Sequence, residues 1–276
     1  KFVMSVVKKE PFGQRIIRDI KMSDAKLWFI KLYDDGYSYS TIASIRGVVK
    51  PAFQMAYTED IIRRNPFEFR LDIIPNNTQK RVALSPKQQE QFLEFTKNDK
   101  HFCRYLDEIK ILLGTGMRIS ELCGLTIADL DFDRRRIRVD HQLVRTQDGK
   151  RYIEKTKTEC GCRYIPMSDE VYESFYNILS NRKKQKKEVM IDGYAGFILL
   201  DKNGNPKVAM HVQKVVQRLC EKYNEENIIP LPRITPHVCR HTYCSNMAKA
   251  GMNPKTLQYL MGHSDIGVTM NTYTNL

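Results

Sequence analysis

The 276-residue sequence has no long apolar run, no recognisable signal peptide and no low-complexity tract. A helix needs about twenty apolar residues to span a bilayer, so no membrane partner is predicted. The seven cysteines are odd in number and lack the regular spacing of a disulfide framework. This usage favours a reducing compartment over secretion, and we expect a cytoplasmic location.

Patterns that hold metal ions are also missing. Cys160 and Cys162, and the group Cys239, His241 and Cys244, do not form the paired CxxC and HxxxH sets of structural zinc sites. No cluster of Asp and Glu residues suggests a metal-dependent nuclease. The sequence therefore predicts neither a metal nor another cofactor.

Acidic residues are outnumbered along the whole chain. The 45 Lys and Arg residues against 32 Asp and Glu residues give a formal net charge of +13. Residues 1–82 contain fifteen basic and nine acidic residues, and residues 83–276 contain thirty basic and twenty-three acidic ones. The excess of basic residues is therefore spread over both parts. Two basic globular parts indicate a polyanion bound from two sides.

The periodicity predicts a mainly α fold with a small antiparallel β-sheet (α+β), divided into two domains. A small all-helical domain is expected over 1–75, with a helix from Ser23, a longer one from Ser38 or Ser40, and a third around 59–64. Its first twenty residues form an arm, for which a short strand pair and an extended segment stay open. Residues 76–84 contain Pro and Asn neighbours without helical period and are interpreted as a linker.

A larger, mostly helical domain is expected over 85–276. Ser85 begins it with a capping box, in which a Ser and the Gln three residues later satisfy the first amide groups of a helix. Turn residues at Gln147-Asp148-Gly149 separate two strand-like segments, and a third segment follows. The three predicted strands span 136–145, 150–157 and 163–166.

The last forty residues concentrate groups suited to a phosphodiester. A helix beginning at Thr235-Pro236 carries His237 and Arg240, which leave the same face because they are three residues apart. A second short helix is expected to end just before His263, and Tyr273 follows ten residues later. Two imidazoles, a guanidinium and a phenol are thus presented by short helices and tight turns.

A second segment, Gly114–Leu122, reads GTGMRISEL and contains Arg118. With this segment the chain resembles the tyrosine recombinase family, the phage-type integrases. The family pattern is an arginine in such a segment, a hairpin lysine, an HxxR pair, a GH dipeptide and a terminal tyrosine, and all five are present in this order. The resemblance extends from about Ser23 to the end and is greatest to integrases of Gram-positive conjugative transposons.

The resemblance implies a catalytic role for each motif residue. Tyr273 would be the nucleophile, while Tyr259, inside a helix between apolar neighbours, is a weaker rival. Arg118 and Arg240 would stabilise the charge on the phosphate, because a guanidinium is permanently charged and donates two parallel hydrogen bonds. Glu121 would orient Arg118 or stabilise the local helix, and the alternative is an ordinary exposed carboxylate.

A lysine near the turn between the second and third strands would protonate the leaving 5′ oxygen. Lys157 matches the family position better, and Lys155 stays an alternative because it lies on the same strand face. His237 and His263 would bind the phosphate and manage the proton of the nucleophile. Which histidine acts as the base is left open by the sequence.

The resemblance also implies the partners. The expected substrate is double-stranded DNA at recombination sites, contacted through phosphates by basic residues. Four protomers would join two sites, without ATP or metal, and an excisionase or DNA-bending protein is a conceivable accessory. The candidate DNA-binding residues are Lys80, Arg81, Arg134, Arg136 and Lys155.

Two alternatives and one expectation about the termini complete the sequence analysis. A type IB topoisomerase would share the chemistry but reseal the same strand, and a non-catalytic DNA-binding regulator would share only the framework. The chain begins at Lys1 without methionine, and three residues follow Tyr273. It is therefore expected to be a fragment, lacking an upstream DNA-binding domain and a terminal helix that would dock on a neighbouring subunit.

Overall fold

The computed structural model describes residues 2–78, 82–156, 161–182 and 188–274. The chain divides into two compact units, Lys1–Lys80 and Arg81–Leu276. Most described residues are helical, and two small antiparallel sheets lie in the second unit, which confirms the predicted fold class. Among the described residues, no helix combines the length and the apolar composition that a membrane span requires.

Three of the described α-helices lie in the first unit, α1 (Phe2–Lys9), α2 (Met22–Asp34) and α3 (Tyr39–Thr58). Neither the strand pair nor the extended segment proposed for the first twenty residues is correct, because α1 is helical. Its apolar residues Val3, Val6 and Val7 recur at a helical spacing and pack on the core of the unit. These apolar residues therefore form one face of a short helix.

The helix predicted around 59–64 is also wrong, because these residues form turns and bends. Asp60 has a φ of 53°, in the left-handed region that interrupts a helix. Asn65 stabilises the non-helical path that follows, since its side chain donates to the Lys50 carbonyl at 3.0 Å and accepts from the Phe67 amide at 3.0 Å. This competition for backbone groups is a property of Asn that periodicity does not register.

The second unit contains eight of the described helices, joined around one apolar core. Ser85 and Gln88 form the predicted capping box at the start of the first of them. The helices are α4 (Pro86–Asn98), α5 (Leu106–Thr115), α6 (Ile119–Gly124), α7 (Asp169–Ser180), α8 (Ala209–Glu226), α9 (Pro236–Lys249), α10 (Pro254–Met261) and α11 (Ile266–Tyr273). Helix α5 packs against both α7 and α9, which places it at the centre of the unit.

The strands lie between α6 and α7 and form two sheets. They are β1 (Leu130–Asp131), β2 (Arg136–Val139), β3 (His141–Arg145), β4 (Arg151–Lys155) and β5 (Arg163–Pro166). Strands β1, β2 and β5 form one antiparallel sheet in the order β1-β2-β5, and β3 pairs with β4 in a separate hairpin. The predicted single strand over 136–145 is thus two strands, which separate at Asp140 and pair with different partners.

Candidate active site

The turn between α5 and α6 positions the first arginine of the site. Gly116 ends α5 with a φ of 62°, and a methyl group there would lie 2.4 Å from Cδ1 of Tyr243. Only glycine therefore allows both this turn and the close approach of α9. Two residues later, Arg118 is the N-cap of α6, and its amide donates to Glu121 Oε2 at 2.8 Å.

Helix α9 brings the second arginine to the same turn. Thr235 caps this helix through the Val238 amide and Pro236 occupies its first position, as the sequence predicted. One turn later Arg240 is buried, with 7% of its surface exposed. Its Nη1 donates to the Gly116 carbonyl at 2.7 Å, so Arg240 is held by the turn that precedes Arg118.

The C-terminal end of α10 gathers three arginines. The Leu260 carbonyl accepts a hydrogen bond from Arg163 Nε at 2.7 Å. The next carbonyl, of Met261, accepts from Arg240 Nη2. The Gly262 carbonyl accepts from Arg118 Nη2 at 2.9 Å. The last carbonyls of a helix lack partners within the helix and carry partial negative charge, which favours cations at this position. Consecutive carbonyls therefore fix the three guanidinium groups side by side.

Arg163 was not identified from the sequence. It is 2% exposed and makes two hydrogen bonds to Glu121, Nη1 to Oε1 at 3.1 Å and Nη2 to Oε2 at 2.7 Å. Glu121 also accepts from Arg118 Nη1 at 2.8 Å. The available signal was the alternation in β5, which puts Arg163 on the same inward face as the buried Ile165. We refer to Arg118, Arg163, Arg240 and Glu121 as the arginine cluster.

Glu121 is a buried carboxylate and not an ordinary exposed one, with 2% of its surface accessible. Burial alone raises the pKa of Glu121, but hydrogen bonds and charges of Arg163 and Arg118 outweigh it and hold this pKa below the usual value. The carboxylate is therefore ionised at neutral pH. It neutralises one of the three cationic charges and leaves the cluster with a net positive charge for an anion.

Burial, followed by the charge of Arg118, lowers the pKa of Arg240 to about 9. The guanidinium still carries its proton at neutral pH. Arg118 is the more accessible of the two, with 38% of its side chain exposed. Because each guanidinium has five N–H groups, the protein hydrogen bonds leave donors on both arginines for a phosphate.

His263 is the residue after Gly262, whose carbonyl binds Arg118. Gly262 ends α10 with a φ of 61°, as the sequence predicted, and His263 Nδ1 lies 3.0 Å from Oγ1 of the buried Thr269. Burial, followed by the charges of Arg240, Arg118 and Arg163, lowers the pKa of His263 to about 4. The imidazole is neutral at physiological pH and can accept a proton on one nitrogen.

Tyr273 ends α11 and packs, half-buried, on an apolar cluster that includes Tyr243, Cys244 and Leu257. Its hydroxyl donates to the carbonyl of Met252, in the turn between α9 and α10. Burial, followed by the Cys244 thiol, raises the pKa of Tyr273. Among the described residues the structure gives no hydrogen bond between this hydroxyl and the arginine cluster.

The other predicted catalytic residues lie outside the arginine cluster or outside the described residues. His237 is exposed on the first turn of α9, three residues before Arg240. Lys155 is exposed at the end of β4, paired with His141. Lys157, the preferred general acid, lies outside the described residues. Tyr259, the rival nucleophile, is 48% exposed, and its hydroxyl accepts from the Tyr164 amide at 3.0 Å.

The predicted DNA-binding arginines lie at the β1–β2 turn and not in the arginine cluster. Arg134 is exposed, and its amide donates to Asp131. Arg136 donates to Asp131 Oδ2 at 3.0 Å and lies 4.5 Å from the ring centre of Tyr164, so part of its charge is already compensated. Lys80 and Arg81 lie outside the described residues.

One group of described side chains has a spacing that could hold a metal ion, namely Asp129, Asp140 and His141. Its atoms are already engaged. Asp129 accepts from Arg138 at 2.8 Å and from the Thr126 hydroxyl at 2.7 Å, and His141 Nε2 lies 2.8 Å from the Gly124 carbonyl. A guanidinium in contact with the carboxylate opposes a cation there, so we assign no metal to this group.

The geometry places three guanidinium groups on consecutive carbonyls at the end of α10, and Tyr273 lies on the next helix, α11. Residues 83–276 match the model of the phage integrase family. The chain therefore belongs to the phage integrase family, and it is a site-specific recombinase of the tyrosine type.

Individual relatives agree with this assignment. The chain is 45% identical to the transposase of transposon Tn916 from Enterococcus faecalis, over all of this chain and 68% of that protein. It is 25% identical to a XerC-like tyrosine recombinase from Caldanaerobacter subterraneus, over 97% of this chain and 70% of that protein. A structure of the Tn1549 transposon integrase with a circular intermediate DNA aligns with a TM-score of 0.95 and 46% identity, covering 99% of this chain and 86% of that one.

Proposed function

We propose that this chain binds double-stranded DNA at the ends of a mobile element and cuts one strand with the hydroxyl of Tyr273. The enzyme would become joined to the DNA by a 3′-phosphotyrosyl bond. A 5′ hydroxyl from the partner duplex would then attack this bond and release the tyrosine. The observation that carries the proposal is the arginine cluster, which places Arg118 and Arg240 on neighbouring carbonyls beside His263.

In this proposal Arg118 and Arg240 act on the phosphate. Attack by the phenol places negative charge on the two non-bridging oxygens of a five-coordinate phosphorus. Arg118 and Arg240 keep fixed positions because each is hydrogen-bonded to backbone carbonyls on one side. Donors that are oriented before the reaction stabilise developing charge without a reorganisation cost.

Protons move at two atoms in the proposed cleavage. The phenol proton leaves as its oxygen bonds to phosphorus, and the departing 5′ oxygen takes a proton from a lysine. His263 is the proposed acceptor because it directly follows Gly262, whose carbonyl binds Arg118, and His237 is the alternative. Lys157 is the proposed donor, with Lys155 as the alternative. Neither step requires ATP.

The hydroxyl of Tyr273 must exchange its partner before attack. It donates to the Met252 carbonyl, and an in-line approach requires the same oxygen to face phosphorus. We propose that DNA binding shifts α11 so that the hydroxyl leaves Met252. The same event would occur in four copies assembled on two recombination sites.

DNA contacts are proposed for both units because both carry excess positive charge. Lys80, Arg81, Arg134, Arg136 and Lys155 would bind phosphates and position the duplex. The Tn1549 integrase structure contains a circular intermediate DNA, which supports a duplex substrate for this chain.

A suicide DNA substrate tests the proposal. Its nick next to the scissile phosphate lets the cut fragment diffuse away, so that the covalent complex accumulates. We expect a covalent complex with the wild-type chain and none with Tyr273→Phe. Mass spectrometry of the digested complex should find the nucleotide on the peptide that contains Tyr273.

Tyr259→Phe is the matched control, because Tyr259 loses the same hydroxyl from the neighbouring helix α10. It should form the complex at the wild-type rate. A covalent complex that persists in Tyr273→Phe, or that disappears in Tyr259→Phe while the fold is retained, would contradict the assignment of the nucleophile.

A further inference from the structure

Arg163 connects the three segments that carry the proposed catalytic groups. Arg163 donates two parallel hydrogen bonds to Glu121. Glu121 in turn accepts a hydrogen bond from Arg118. Arg163 Nε donates to the Leu260 carbonyl, three residues before His263. Its Nη1 also donates at 3.1 Å to the carbonyl of Gly161, in the segment that follows the proposed general acid Lys157.

Arg163 cannot contact a DNA phosphate from this position. Its side chain has no exposed surface, and the hydrogen bonds above engage all three of its nitrogens. Arg118, by contrast, reaches the surface while its Nη1 and Nη2 bind Glu121 and Gly262. A change at Arg163 can therefore affect the reaction only through the groups that it holds.

We propose that Arg163 is a positioning residue, which sets the orientation of Arg118 through Glu121 and the position of His263 through the end of α10. This inference rests on the proposed function and deepens it. The planar fork of Arg163 is required, because a lysine would present a single point charge to Glu121 and could not reach the Leu260 carbonyl at the same time. Arg118 and His263 would then move relative to each other while their own side chains stay intact.

Arg163→Lys tests the inference, with single-turnover formation of the covalent complex as the readout. A misplacement of about 1 Å in a site of this kind costs roughly a hundredfold in rate, and we expect a loss of this size. DNA affinity, measured separately by anisotropy, should stay unchanged because Arg163 is buried. A purely structural residue would not separate the chemical rate from the affinity in this way.

Lys222→Met is the matched control. Lys222 also holds a buried carboxylate of the second unit, Asp99, but lies outside the arginine cluster. Both variants should lower thermal stability, and both are assayed below their unfolding temperatures. Only Arg163→Lys should lose rate, and an equal loss in both variants would show that general destabilisation is responsible and overturn the inference.

Glu121→Gln supplies the second test. If Arg163 acts through Glu121, the double variant should be no slower than the slower single variant. Losses that multiply, or a wild-type rate in a folded Arg163→Lys, overturn the inference. Should Arg163→Lys fail to fold, Arg163→Met combined with Glu121→Gln replaces the buried charges by a neutral pair. It should be at least as slow as Glu121→Gln alone, because it also loses the hydrogen bond to the Leu260 carbonyl. A faster double variant also overturns the inference.

The wild-type chain separates the two possible failures. A wild-type covalent complex with no Arg163 effect contradicts only the positioning role. The absence of any complex from the wild-type chain contradicts the proposed function, and this inference with it.

Discussion

The arginine cluster and helix α11 form two parts of one candidate site, but different interactions hold them. The cluster is buried, and its three guanidinium groups are fixed by a carboxylate and three successive carbonyls. Helix α11 is a short element of eight residues, and it exposes Val268 and Met270 to 51% and 41%. The groups proposed to stabilise charge are therefore preorganised, whereas the proposed nucleophile lies on a short helix with exposed apolar side chains.

This difference fits the chemistry that we propose. Stabilising a transition state requires fixed donors, because donors that must first reorganise lose much of their benefit. A nucleophile that must first leave its hydrogen bond to the Met252 carbonyl benefits from an element that can move. The elements with few buried contacts are those that open at the lowest free energy. Variants that alter one part and spare the other can test the comparison.

The largest effect is expected from Arg240→Lys, in the fixed part. The lysine retains a positive charge but cannot bind the Gly116 and Met261 carbonyls and a phosphate together. Loss of one oriented donor costs about 10²–10³ in rate, so we expect a single-turnover rate lower by this factor. The rate of covalent complex formation on a suicide substrate measures it, at saturating DNA and below the unfolding temperature.

A retained rate in Arg240→Lys would mean that charge alone suffices and that the fixed geometry is unimportant. DNA affinity of the same variant is the internal control. It should change little, because a single phosphate contact is one of many along the duplex.

Local signals in the sequence predicted the elements on which these residues lie. Neighbouring residues alone determine that a helix starts at Thr235-Pro236 and that another ends at Gly262. The structure shows this start and this end. Arg163 has partners 42 and 97 positions away, and the Tyr273 hydroxyl binds a carbonyl 21 positions away. Contacts of this kind depend on how helices pack, and no local pattern encodes them.

A smaller effect, on stability, is expected from Gly262→Ala at the end of α10. The φ of 61° disfavours alanine, and the added methyl group would lie 2.9 Å from Nη1 of the buried Arg163. Gly251→Ala is the matched control, because Gly251 ends α9 with a φ of 80° and a methyl group there meets nothing within 4 Å. Backbone strain should cost about 1–2 kcal/mol in both, and overpacking against Arg163 about 1–3 kcal/mol more in Gly262→Ala.

Equilibrium denaturation of the two glycine variants measures the difference in their free energies of unfolding. The difference isolates the contact with the arginine cluster, because both variants share the strain of the left-handed region. Equal losses would show that Arg163 adjusts freely, and this would weaken the contrast between a fixed cluster and a movable α11.

The smallest effect is expected in the pH dependence of stability, through His263. Its pKa is about 4 in the folded chain and near 6.5 when unfolded, so between these values the unfolded state binds more protons. Stability should therefore fall as the pH falls from 6.5 towards 4. The full shift corresponds to an upper bound of about 3 kcal/mol, which solvent screening reduces to roughly 1–2 kcal/mol.

Denaturation of the wild-type chain and of His263→Asn across this pH range measures the contribution, because asparagine does not titrate. His211→Asn is the control. Burial, and to a smaller extent the charge of Arg151, lowers the pKa of His211 as well, but this residue lies outside the arginine cluster. The stability of His263→Asn should depend less on pH than that of either the wild type or His211→Asn. If all three lose stability in parallel between pH 6.5 and 4, the arginine cluster does not act on His263 as the structure indicates. The His263 imidazole would then be as accessible to solvent as a side chain of α11, the movable part of the site.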